Sequence, residues 1–185
     1  MDIVGRVKGL LLDPKAEWRV IANEPAEPAS LITGYVAILA AIPAVCGFIG
    51  TSIIGVAGIR TPFVSGLIGA VVGYGLTLVG VYLVAFVIDF LADKFGGQKN
   101  FNSAFKVAAF APTAAWVASV FTVLPILAFL AVLGLYSFYL FYVGLPILMR
   151  TPEDKTLGYL SSVLVGAIIV WVVVLLLPAR LLGLA

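Results

Sequence analysis

The stretch "IDFLADKFGGQKNFNSAFKVAAFAPTAAW", residues 88–116, closes one apolar run and opens the next. Its charges gather at the seam. Asp93, Lys94 and Lys99 fall between the runs, while Asp89 and Lys106 each enter a neighbouring run by about one helical turn. Outward from this seam, apolar residues dominate at 31–54, 63–91, 104–124, 126–148 and 157–177. Each stretch supplies the roughly twenty apolar residues that a membrane-spanning helix requires. The chain is 63% hydrophobic and 11% charged, whereas a soluble domain is about half apolar and a quarter charged. The expected fold is therefore an all-α integral membrane protein of five transmembrane helices, residues 31–185, behind a leader of residues 1–30. The boundary between the third and fourth spans rests on length and on Pro125, because no charge occurs between Lys106 and Arg150.

Lys and Arg sort by side. Arg6, Lys8, Lys15 and Arg19 precede the first span, Lys94 and Lys99 lie between the second and third, and Arg150 and Lys155 lie between the fourth and fifth. Only Arg60 and Arg180 stand opposite. Positive loops stay cytoplasmic, so the N-terminus is expected inside and the C-terminus outside.

The leader differs from the rest. At 100° per residue Ile3, Val4, Val7, Leu10 and Leu11 share an arc of about 120°, flanked by Arg6 and Lys8, as in a helix lying among headgroups. Asp13 and Pro14 then supply an N-cap and a first-turn proline for a second helix carrying Trp18 and Ile21 on one side. The leader is thus expected on the membrane surface; a loosely ordered basic tail is the plainer alternative.

Within the spans three patterns stand out. Gly66, Gly69, Gly73, Thr77 and Gly80 fall within about 80° on the second span, a groove into which another helix can pack or, less simply, a permeation path. Tyr82, Phe86, Asp89 and Asp93 occupy the opposite face. Asp89 and Lys106 enter the membrane from the same side, and two readings remain open: they pair, or each reaches up to water. The fourth span carries Tyr136, Tyr139 and Tyr142 on one arc, with Ser137 and Gly144 forming a small face beside it. Tyr136 lies about 20 Å from the span's end near Met149. Its hydroxyl needs an acceptor, in a polar interior or on a neighbouring helix. Pro43, Pro112 and Pro146 are expected kinks, each removing one helical amide bond.

The function classes narrow by omission. The chain has no histidine and one cysteine, Cys46, and only Asp89 among acids lies inside a span, so general acid–base work has few candidates. No catalytic residue, metal or cofactor is expected. A net charge of +2 gives no footing for nucleic acid.

The segments "IPAVCGFIGTS", "IDFLADKFGGQKNFNSAFKVAAFAPTAAW" and "YSFYLFYVGLPILMRTPEDK", behind the leader "LLLDPKAEWRVIANEP", together resemble the bacterial branch of the Yip family, the Ypt/Rab-interacting membrane proteins. The resemblance covers almost the whole chain and implies five spans with a cytoplasmic N-terminus. Eukaryotic relatives are associated with small GTPases through a longer leader; with about thirty residues here, GTPase binding is not carried over. Two functions are weighed: a non-enzymatic membrane protein organising partners or bilayer shape, with lipids, other membrane proteins or itself as partners, and a small transporter or channel. The bacterial cytoplasmic membrane is the expected location.

Overall fold

The computed structural model describes residues 2–25, 27–55 and 59–181, apart from the side chains of residue 171 and of residues 173–181. Its regular elements are helical. Two short helices, α1 (Ile3–Leu12) and α2 (Pro14–Asn23), form the leader. Asp2 caps α1 by accepting from the amide of Gly5, and Asp13 caps α2 by accepting from Ala16, with Pro14 in the first turn. Asp13 and Pro14 thus set the break between the helices as their order predicts.

The first apolar stretch, Pro28–Ile54, is one continuous helical rod. It comprises α3 (Pro28–Leu31), a wide turn at Ile32–Val36, α4 (Ala37–Phe48) and a second wide turn at Ile49–Ile54. Pro43 lies inside α4, which continues through it. Next comes α5 (Phe63–Ala92), extended to Phe95 by a tight turn, and Gly96 in a left-handed conformation (φ 73°) reverses the chain.

The third stretch, Phe101–Val123, starts at α6 (Phe101–Phe110) under an Asn100 cap. Pro112 does more than kink it. A turn at Ala111–Pro112 separates α6 from α7 (Thr113–Ala118), and tight helical turns follow at Ser119–Val123 and Pro125–Leu135. Then α8 (Tyr136–Met149) runs through Pro146, and α9 (Glu153–Leu181) ends the described chain.

Among the described residues four helical stretches are long and apolar enough to cross a membrane: Pro28–Ile54, Phe63–Phe95, Phe101–Val123 and Pro125–Met149. The expected cut at Pro125 holds, since Leu124 is extended there. In the expected fifth span, within α9, the side chains of residues 171 and 173–177 lie outside the described residues.

The third stretch is the pillar: 67% of its apolar window is buried, against 22–28% for the other three. Helix α5 packs on α4, α6 and α9, while α8 packs on α6, α9 and the leader's α2. The sequence places the leader's apolar arc on headgroups; in the structure the bundle takes up part of that arc, and Val4 stays exposed. Leu10 and Trp18 are fully buried, and Val7 and Leu11 pack partly buried against the same core. That core joins Leu10, Trp18 and Ile21 to Tyr35, Phe105, Phe110, Leu140 and Met149. Leader and bundle therefore form one unit rather than two.

Candidate functional site

Lys106 is the anchor of this unit. On α6 the preceding residue, Phe105, lies against the Tyr82 ring of α5 with centroids 4.8 Å apart. One residue on is a turn of about 100°, so Lys106 points away from α5 toward the leader. Its ammonium donates to the carbonyls of Ile21 (2.9 Å) and Glu24 (2.6 Å) at the end of α2. Terminal helix carbonyls lack intrahelical partners and carry the negative end of the helix dipole. Lys106 satisfies both demands.

Of the two readings open for Asp89 and Lys106, pairing does not form, because α6 turns the two groups apart. Asp89 Oδ1 is buried without a hydrogen-bond partner, and nearby Asp93 pairs instead with Lys99 at 3.1 Å. Tyr159 of α9 donates to the carbonyl of Ile88, bringing α9 against this segment of α5.

Beside Lys106 sits a second cation. Arg6 of α1, only 8% exposed, spans Glu17 and Glu24 with one nitrogen on each at 2.5 Å, and lies 5.7 Å from the centroid of Phe110. Burial alone would lower the Arg6 pKa; Glu24 and then Glu17 more than offset it, so the guanidinium is held more firmly charged than usual. Glu17 and Glu24 are seven residues apart, two turns of helix, and share a face. Together these residues line a cavity of about 680 Å³ between leader and bundle, with Asp2, Ser30 and Gly34 on its walls.

The other side of the leader docks on α8. Gly144 faces the Trp18 indole so closely that a methyl group there would sit 2.8 Å from the ring, and Tyr136 donates to the carbonyl of Leu11 at 3.3 Å. Ser137, on the same small face as Gly144, accepts from the amide of Ala115 at 3.0 Å. At the Pro112 break Thr113 donates to Phe110, and its hydroxyl meets that of buried Tyr35 at 2.7 Å.

The predicted polar interior is thereby divided. Tyr136 joins the leader, Tyr82 packs at a tilt against Phe105, and Tyr139 and Tyr142 remain about two-fifths exposed on the outside of α8. The glycine groove is divided too. Gly66 faces Ser52 and Phe48 closely and Gly80 is buried, but among the described residues nothing approaches Gly69 or Gly73, which line an open groove between α4 and α5. Sequence reasoning missed Arg6, Glu17, Glu24, Tyr35 and Thr113 as partners; the seven-residue spacing of the two glutamates was the available signal.

Known proteins are similar to this sequence over nearly its whole length. A family model described as "Yip1 domain" matches residues 8–175, nearly all of the leader and bundle. The "Inner membrane protein YohC" of Escherichia coli strain K12 is 29% identical over 189 residues, covering 97% of each chain. The protein of the same name from Escherichia coli O6:H1 strain CFT073 matches equally. No solved structure matches. With the family model running from α1 into α9, the chain belongs to the Yip1 domain family of membrane proteins.

Proposed function

We propose that this protein is a non-enzymatic inner membrane protein that shapes the bilayer around it and organises partners there, with the leader docked on its cytoplasmic side. The relatives' name supports the inner membrane, and the sorting of Lys and Arg supports the orientation. α9, with 29 residues, is about 43 Å long at 1.5 Å per residue and serves as the fifth span.

The observation that carries the reading is the unequal distribution of packed protein along the membrane normal. Two extra helices and most of the buried core lie at the leader end, around Trp18, Tyr35, Phe110 and Leu145. At the other end Phe63, Val64, Ile126 and Phe129 are largely exposed. A body broader at one leaflet than at the other favours curvature. The cations that a solute path would use are engaged in holding the leader.

Liposomes containing the full chain at rising protein-to-lipid ratios test this, with shape read by electron cryomicroscopy and permeability by ion- and solute-release assays. Smaller or tubular vesicles are expected, with release no faster than from protein-free liposomes. Arg6→Met with Lys106→Met, which frees the leader, should reverse the shape change. Unchanged vesicle shape with accelerated release would replace this reading with the transporter.

A further inference from the structure

A second polar hollow, of about 580 Å³, opens where α2, the loop before α6 and the end of α8 meet. Arg19, Lys99 and Arg150 line it together with Asn23, Gln98 and Ser103, and no carboxylate does. All three cations are exposed. Gathering like charges is unfavourable unless an anion joins them. Among the described residues Arg19 and Arg150 form no ion pair, and Lys99 has only Asp93, in a pair exposed on both sides and weakened by solvent.

Arg150 is held there against its own preference. It is the one non-glycine residue with positive φ (52°) among those described, a backbone state that glycine enters far more readily. Its guanidinium donates to Gln98 at 3.2 Å, and the Gln98 amide donates to the Met149 carbonyl at 2.8 Å, so loop and helix end hold one another. An arginine at a position suited to glycine points to a role of its side chain.

The level of the hollow identifies the anion. Arg150 directly follows the apolar stretch Pro125–Met149, and Lys99 stands two residues before Phe101–Val123. The hollow therefore lies at the headgroup layer, with Ile147 and Leu148 as its apolar edge. Arginine pairs grip phosphate oxygens in a forked geometry, and basic pockets between spans suit acidic headgroups. We propose that this hollow binds the phosphate of an anionic phospholipid, with Arg19 and Arg150 as its principal ligands and Lys99 as an auxiliary cation. The site has α2 as one wall but shares no residue with the Arg6 and Lys106 contacts that hold the leader, and it does not depend on what the protein does to bilayer shape.

Native mass spectrometry of the full chain in mild detergent tests it, with phosphatidylglycerol and phosphatidylcholine of equal acyl chains offered together. The protein should retain phosphatidylglycerol over phosphatidylcholine by on the order of tenfold. Arg19→Gln with Arg150→Gln should bring the ratio near one, whereas Lys8→Gln with Lys15→Gln should leave it unchanged. Arg150→Gly should raise the unfolding temperature while lowering the ratio, which separates ligand loss from misfolding. Millimolar inorganic phosphate should not displace the lipid. A ratio near one in the unaltered chain, equal losses in the two double variants, or displacement by inorganic phosphate would overturn the assignment.

Discussion

Lys106 shows why a charged residue in an apolar helix is hard to assign from letters alone. Its acceptors are main-chain carbonyls of Ile21 and Glu24, and a carbonyl has no letter of its own. Asp89, the one carboxylate within the spans as read from the sequence, was the visible partner, yet Phe105 fixes the face of α6 that meets α5 and turns its neighbour away. Lys106→Met should destabilise the protein by about 1.5–3 kcal/mol, the range for hydrogen bonds to a charged group. The effect of Asp89→Asn should combine with that loss without coupling, because the two groups share no contact. A double-mutant cycle of unfolding in detergent measures this, and a coupling above about 0.5 kcal/mol would restore the ion pair.

Among the elements, the four described spans were legible because a bilayer demands length and apolarity, and their ends fall within a few residues of the charges and prolines that mark them. Caps at Asp13 and Asn100 follow from side chains that accept amide hydrogen bonds. What a helix face meets was less legible. A stripe of small residues permits close approach without requiring it, and on α5 the stripe is filled at Gly66 and empty at Gly69 and Gly73. Gly66→Leu should therefore lower the unfolding temperature clearly, since it drives a side chain into Ser52 and Phe48. Gly73→Leu should change it little, gaining helix propensity in open space. Thermal unfolding of both variants in detergent decides; equal losses would mean that another helix occupies the groove.

Across the whole molecule, amphipathicity identified the leader's apolar face but not what would cover it. Lipid and protein are equally apolar to Leu10 and Trp18, and the sequence pattern is the same for both. The choice falls to specific groups: a glycine at 144 to admit the indole, and Lys106 and Arg6 to hold the end of α2. Hydrogen exchange in bilayers should accordingly find the amides of α1 and α2 protected together, and Lys106→Met should expose both at once. Exposure of α1 with α2 still protected would show that they dock separately.

The hydrogen bonds that fasten the leader also impose an order in time. Glu24 finds its cation 82 residues later in the chain, and Leu11 finds the Tyr136 hydroxyl 125 residues later. On a ribosome the leader emerges first, yet its binding surface is complete only when α8 has been made and inserted. The leader is thus made before the helices it docks on and settles only after them, with Trp18, Glu17 and Glu24 uncovered in the interval. Closure of the leader marks a bundle that has been assembled through its fourth span.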